Sequence, residues 1–119
     1  IAVPLTDATQ HMINEDVFSR MKKHAVLVNI ARGAIVDEAA LVSALAAGVI
    51  AGAALDVFEE EPLPATSPLW QMDNVIISPH VSGNMARYYE KAAALFAENL
   101  QRYLEHQPLL NRLNRARGY

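Results

Sequence analysis

The chain has 119 residues, 52% of them hydrophobic, which is enough for one hydrophobic core but hardly for two. Its formal net charge is −3, with acidic and basic residues interspersed, and no apolar run approaches the ~20 residues of a spanning helix. The sequence therefore predicts a soluble protein without a nucleic-acid or membrane partner, and the absence of cysteine excludes disulfides and cysteine-ligated zinc and favours the cytoplasm.

Short apolar runs predict the strands of a parallel sheet. They are residues 25–30, 50–57 and 75–78, with 1–5 as a fourth candidate. Because these runs are continuously apolar rather than alternating, they are typical of strands that are covered on both faces.

Two helices are predicted between the strands. Asn14, followed by two acids, begins a helix that ends in the cations of residues 21–23. A second helix begins at Asp37 and ends at Gly48, a residue suited to the left-handed position after a helix. The order β-α-β-α-β predicts an α/β fold.

The last third of the chain changes pattern. Three prolines within residues 59–71 predict a loop. Apolar residues spaced by three and four over residues 84–106 predict an amphipathic helix of roughly 33 Å. Such a helix either covers the core of its own sheet or crosses to another domain, and the sequence leaves both alternatives open.

Polar side chains follow each predicted strand. Arg32 follows the first, Asp56 and then Glu61 the second, and His80 the third. Singly, each is explained as an ion-pair partner, a turn acid or a loop residue. Together, at the edge where α/β sheets bind ligands, they offer an oriented acid/base and a fork for a carboxylate. The remaining histidines lack metal-ligand spacing with a third ligand, so no metal is predicted.

Several spaced motifs resemble one family, the D-isomer-specific 2-hydroxyacid dehydrogenases, over nearly the whole chain. They are LVNIARG at 27–33, VDE at 36–38 with Leu41, GAALDVF at 52–58, EP at 61–62, SPLW at 67–70 and PH at 79–80, preceded by PLT at 4–6 with Thr9. The resemblance is to the carboxyl-terminal part of the family. It implies a partial Rossmann-type doubly wound parallel sheet, the second half of an NAD(P)-binding domain, followed by a long C-terminal helix.

The resemblance also implies roles for single residues. Arg32 would hold the carboxylate and carbonyl oxygen of a 2-oxo acid, and His80 would be the acid/base. Glu61 would favour the charged imidazole, because a nearby anion stabilises that form. The residues expected near NAD or NADP are Thr6, Ile30, Ala31, Arg32, Asp56, His80 and Gly83.

The five glycines never form the G-x-G-x-x-G turn that binds a pyrophosphate. We therefore expect residues 1–83 to be the later half of a dinucleotide-binding domain. Residues 84–119 would be a helix and tail that return to a substrate domain absent from this chain. Alone, the chain is expected to be inactive. Its unpaired sheet edge and long helix predict a homodimer or a swapped arrangement of the last helix.

The substrate subgroup and the class of function have alternatives. Residues 67–70 and the tail 114–119 look similar to the glyoxylate and hydroxypyruvate reductase branch, whereas VSGNM at 81–85 departs from the small-residue run of many members. Beside the reductase stand two other hypotheses, a dinucleotide-sensing transcriptional corepressor of the same fold and a self-standing flavodoxin-like module.

Overall fold

The computed structural model describes residues 1–118. They form two compact units, the first spanning Ile1–Ser82 and the second beginning at Gly83. Across the described residues, no helix is both long and apolar enough to cross a membrane.

The first unit contains a parallel three-stranded sheet. Strands β1 (Val26–Asn29), β2 (Gly52–Leu55) and β3 (Val75–Ile77) lie in the order β1-β2-β3. Helix α1 (Glu15–Arg20) precedes β1, and α2 (Glu38–Ala46) connects β1 to β2. This arrangement confirms the predicted α/β class and brings the carboxyl ends of three strands to one edge.

The predicted helix starts are confirmed by their hydrogen bonds, whereas α1 ends at Arg20, ahead of the predicted end at residues 21–23. The Asn14 side chain accepts from the N–H of Val17 and so begins α1, and the Asp37 side chain accepts from Ala40 at the start of α2. After α2 the chain reverses at Gly48, whose φ of 64° is unfavourable for residues with a Cβ.

The core lies on one face of the sheet. Leu27, Ala53 and Leu55 pack there in one buried cluster with Phe18 of α1 and Leu41 of α2. Side chains of the opposite face are exposed in this structure: Val26 (57%), Val28 (47%) and Ile76 (71%). The expectation that the strands are covered on both faces is therefore wrong for the described residues, because α1 and α2 both contribute to the same cluster.

Residues 1–5 do not form the fourth strand. Within this segment only Ile1 bonds to β1: its amino group donates to the Val28 carbonyl (2.5 Å). Its carbonyl accepts from the N–H of Ile30, the residue after β1 (3.3 Å). The pairing stops there, ahead of Pro4, which has no N–H to donate. The observed order is α-β-α-β-β, and a loop with one short 3₁₀ turn, Pro68–Gln71, joins β2 to β3.

The second unit contains helix α3 (Tyr88–Leu104), which confirms the C-terminal helix but is shorter than expected. Its 17 residues span about 26 Å. The helix does not begin at residue 84 because Arg87 has a left-handed φ of 62°. It ends before residue 106, where His106 has a φ of 56°.

Candidate active site

The loop after β1 carries Arg32 and is shaped by a buried asparagine. The Asn29 side chain accepts from the Ala31 N–H (3.1 Å) and donates to the Arg32 carbonyl (3.0 Å). These two bonds fold residues 29–32 into a tight turn. The exposed Arg32 guanidinium donates to the Ala31 carbonyl at 2.6 Å. The sequence placed Arg32 at this edge but gave no role to Asn29, whose one signal is a polar residue at the end of an apolar strand.

The carboxylate of Asp56, directly after β2, holds the loop that follows β3. Its Oδ1 accepts from the Ser78 hydroxyl (2.5 Å) and the Val81 N–H (2.9 Å), and its Oδ2 accepts from the Ser82 N–H (2.7 Å). Asp56 is 3% exposed. Because these bonds lie on both sides of His80 in the chain, Asp56 fixes the loop that carries the imidazole.

Asp56 stays ionised in this setting. Burial raises the pKa of its carboxyl, but the hydrogen bonds from Ser78, Ser82 and Val81 outweigh burial and hold that pKa far below its usual range. The predicted contact of this carboxylate with a cofactor remains a prediction.

We expect Asp56→Asn to destabilise the protein by about 2–4 kcal/mol at neutral pH. The amide N–H₂ would face a hydroxyl or backbone N–H that now donates to the carboxylate, so a buried donor would lose its acceptor. Since the folded pKa is depressed, the stabilisation by Asp56 is fully present above the unfolded value of about 3.9 and is lost as pH falls through the folded value. Urea unfolding of both proteins from about pH 7 to about pH 2.5, a range that spans the unfolded pKa, measures this difference in stability. A difference in stability that is unchanged throughout would contradict the role of the charge.

His80 and Glu61 form a close pair. The imidazole Nδ1 lies 2.7 Å from Glu61 Oε2, and Glu61 Oε1 accepts from the Phe58 N–H at 3.0 Å. Both side chains are partly exposed, His80 at 47% and Glu61 at 35%. His80 has a left-handed φ of 53°, an uncommon conformation that is enriched at functional sites. The carboxylate thus fixes one ring nitrogen and leaves Nε2 without a hydrogen-bond partner among residues 1–118.

The Glu61 carboxyl is also held in its charged form. Partial burial raises its pKa, yet the hydrogen bonds from His80 and Phe58 and the charges of His80 and Arg32 together lower it below the usual value. Arg32 therefore lies within electrostatic range of Glu61, although its side-chain hydrogen bond goes to Ala31.

A cavity of about 660 Å³ lies beside this pair. Its walls include Asp56, Phe58, Glu61, Trp70 and His80. The cavity combines an apolar wall with an oriented imidazole and two carboxylates, which suits proton transfer to or from a small ligand.

The other predicted contact residues are distributed as follows. The Ile30 carbonyl lies 3.5 Å from the Ser82 hydroxyl, and Ala31 is buried in the same turn. Thr6 opens a turn closed by Thr9, whose hydroxyl accepts from the Thr6 N–H at 2.7 Å. Gly83 begins the second unit. Their contacts with a cofactor remain predictions.

Gly33 is a further residue whose importance the sequence did not reveal. A Cβ at this position would lie 1.8 Å from the carbonyl carbon of Phe58. Only glycine lets the turn after β1 approach the backbone of the segment that carries Glu61. A glycine after an arginine was the one available signal.

Comparison with known proteins decides the family. Residues 1–82 match the family model described as D-isomer specific 2-hydroxyacid dehydrogenase, NAD binding domain. The chain belongs to this family. It is 53% identical over 100 residues to a glyoxylate reductase of Thermofilum pendens, covering 84% of this chain and 30% of that protein.

Two solved members of the dehydrogenase family have the same fold. A D-isomer specific 2-hydroxyacid dehydrogenase from Xanthobacter autotrophicus Py2, in complex with NADPH and MES, is 44% identical with a TM-score of 0.92, over 99% of this chain and 48% of that one. An NADPH-dependent glyoxylate/hydroxypyruvate reductase from Sinorhizobium meliloti, in complex with NADP and sulfate, is 31% identical with a TM-score of 0.91, over 99% of this chain and 38% of that one. The chain thus spans less than half the length of these relatives.

Proposed function

We propose that the complete gene product containing this chain is an NAD(P)-dependent oxidoreductase that reduces a small 2-oxo acid, of the glyoxylate or hydroxypyruvate kind, to the D-2-hydroxy acid. This chain would supply its acid/base pair, His80 and Glu61, and the anion-binding Arg32. The observation that carries the proposal is the 2.7 Å contact between His80 Nδ1 and Glu61 Oε2 at the carboxyl edge of a parallel sheet.

The described residues fit the nicotinamide end of a dinucleotide. Asp56 Oδ2 accepts from the Ser82 N–H. A carboxylate oxygen has two lone pairs, so Oδ2 would also be able to accept from a carboxamide N–H. The peptide groups of Ile30 and Ala31 lie at the end of β1, beside the sheet edge where such ligands bind. When bound, the reduced dinucleotide supplies the hydride for the carbonyl carbon.

Arg32 would bind and orient the substrate. Its guanidinium is exposed and always charged, and it can bind a carboxylate and the neighbouring carbonyl oxygen through a planar fork. Such binding would hold the carbonyl oxygen at the sheet edge that also carries His80. Charge-assisted bonds to this oxygen strengthen as negative charge develops there.

His80 would donate the proton. As the carbonyl carbon gains the hydride, the C=O π electrons move to the oxygen, which takes the Nε2 proton and becomes the hydroxyl. The hydrogen bond from Nδ1 to Glu61 would restrain the ring and leave Nε2 available to the substrate. In the reverse direction neutral His80 removes the hydroxyl proton.

The test is the oxidation of NADH and NADPH by the complete gene product with glyoxylate, hydroxypyruvate and pyruvate. Turnover with one of these acids supports the proposal. Binding of the dinucleotide without turnover of any of them contradicts it and favours a corepressor-type binding protein.

Replacing Arg32 by lysine tests the anion site. We expect Arg32→Lys to raise KM for the 2-oxo acid about 10- to 100-fold, because lysine keeps the charge but loses the fork, and a charged hydrogen bond contributes roughly 1.5–3 kcal/mol. The thermal unfolding midpoint serves as the control and should change little, because Arg32 is exposed. Unchanged KM would remove Arg32 from the substrate site.

The remaining parts of the proposal concern domain organisation, oligomeric state and cellular localisation. We propose that residues 1–83 are the later half of the dinucleotide-binding domain, that residues 84–119 return to a substrate domain, and that the 119 residues alone do not turn over. We further propose a cytoplasmic homodimer without nucleic-acid or membrane partners. The apolar side chains exposed on the sheet face support a partner surface. Sedimentation equilibrium of the complete gene product measures its mass in solution, and the mass of a monomer would contradict the proposed dimer.

A further inference from the structure

The side chain of Glu59 joins three segments of the first unit. Its Oε1 lies 2.7 Å from His11 Nε2 and accepts from the Glu38 N–H at 3.3 Å. In return, the Glu59 N–H donates to Glu38 Oε2 at 3.1 Å. We call His11, Glu38 and Glu59 the Glu59 clamp. It ties the turn before α1 and the start of α2 to the loop after β2.

The segments tied by the clamp are themselves anchored in the fold. The His11 N–H donates to the Ala34 carbonyl at 2.9 Å, and Ile13 forms a parallel bridge with Val36. Glu38 is the first residue of α2. The clamp therefore attaches the loop after β2 to backbone that is already fixed.

The clamp lies two residues from the acid of the pair. Phe58, next to Glu59, donates its N–H to Glu61 Oε1, and Glu61 Oε2 bonds His80. The backbone of this same stretch also packs against Gly33. A displacement of Glu59 would thus be transmitted to the Glu61 carboxylate, and from it to the imidazole ring.

The three consecutive glutamates have three different surroundings. Glu61 bonds His80, and Glu59 bonds His11 and Glu38. Glu60 makes no side-chain hydrogen bond or ion pair within the part of the chain that the structure describes. Glu60 is therefore a matched control, with the same side chain in the same loop.

We propose that the Glu59 clamp is a positioning device: Glu59, held by His11 and Glu38, sets the place of Glu61 and through it the orientation of the His80 imidazole. Its kinetic consequence rests on the proposed reductase function. Its structural consequence, a fixed Nδ1–H bond between His80 and Glu61, does not.

The expected effect is local. The side chains of His11 and Glu59 are 46% and 37% exposed, and exposed ion pairs contribute little to global stability. A catalytic group displaced by about 1 Å can nevertheless lower a rate about 100-fold. Loss of the clamp should therefore lower kcat strongly while the thermal unfolding midpoint changes little.

The experiment compares Glu59→Ala with Glu60→Ala in the complete gene product. We expect Glu59→Ala to lower kcat about 10- to 100-fold with a small change in KM, and Glu60→Ala to stay within about twofold of wild type. Glu59→Gln keeps an oxygen acceptor for both partners and should recover most of the rate. In the His80→Gln background, Glu59→Ala should cause no further loss, since coupled residues are not additive.

A second readout does not depend on turnover. In long-range ¹H–¹⁵N spectra recorded at a pH at which the imidazoles are neutral, the wild-type His80 signal should be that of a ring protonated at Nδ1. Glu59→Ala should shift it toward the average of the two tautomers, and Glu60→Ala should not. If the wild type reduces no 2-oxo acid but Glu59→Ala still shifts this signal, the reductase proposal fails and the clamp stands. If Glu59→Ala behaves like Glu60→Ala in the spectra, or lowers kcat while the His80 signal is unchanged, the clamp proposal is overturned.

Discussion

Replacing His80 by glutamine should lower kcat for 2-oxo acid reduction by about 10²- to 10⁴-fold, the usual contribution of a positioned general acid. A glutamine amide can still donate to Glu61, so the loop keeps its contact, but it has no proton to give to the substrate oxygen. Because His80 is 47% exposed, the unfolding midpoint should change little. Steady-state oxidation of NADPH with glyoxylate measures the rate.

The matched control is His24→Gln, at an exposed histidine before β1. It should leave kcat within about twofold of wild type, as expected for a surface substitution away from the site. A His80→Gln protein that keeps more than about a tenth of the wild-type kcat would fall outside the range for general-acid loss and would remove His80 from the acid/base role.

The sheet and its edge could be predicted because they follow from local chemistry. Asn14 and Asp37 have short side chains that cap a helix start, and Gly48 accepts a left-handed conformation, so each marks a boundary without knowledge of the rest. The rule that ligands bind at the carboxyl ends of parallel strands then predicts that Arg32 and His80 lie at the same edge of the sheet.

The details of the loops could not be predicted. Three adjacent glutamates are equivalent in composition and hydropathy, and only the path of the backbone decides that Glu61 bonds His80 while Glu59 bonds His11. The same holds for Asn29, whose two hydrogen bonds depend on a turn made by the residues after it. Residues 1–5 are a strand candidate because they are apolar, but apolar character indicates a preference for burial and not the presence of pairing partners.

Gly33→Ala should lower both the stability of the protein and kcat, because it would force apart the loop after β1 and the loop after β2, which carries Glu61. The added Cβ would lie 1.8 Å from the Phe58 carbonyl carbon, 1.9 Å from its oxygen and 2.4 Å from the Glu59 nitrogen. All three are backbone atoms, so relief requires a backbone shift of about 1 Å or more, and overpacking of this kind costs roughly 3 kcal/mol. Phe58 donates its N–H to Glu61, and Glu59 lies two residues before it. Because a shift of this backbone would displace Glu61, we expect kcat to fall about 100-fold as well.

Urea unfolding and steady-state kinetics of Gly33→Ala, measured beside Gly48→Asn, separate the two consequences. Gly48 has open space around its Cβ position and a φ of 64°, which asparagine tolerates, so this control should cost less than about 1 kcal/mol and leave kcat unchanged. A Gly33→Ala protein as stable and as active as the control would mean that the turn after β1 can retreat without moving Glu61. The close approach of these two loops would then have no part in holding the imidazole. The position of His80 would instead depend on the hydrogen bonds that Asp56 accepts from the loop after β3.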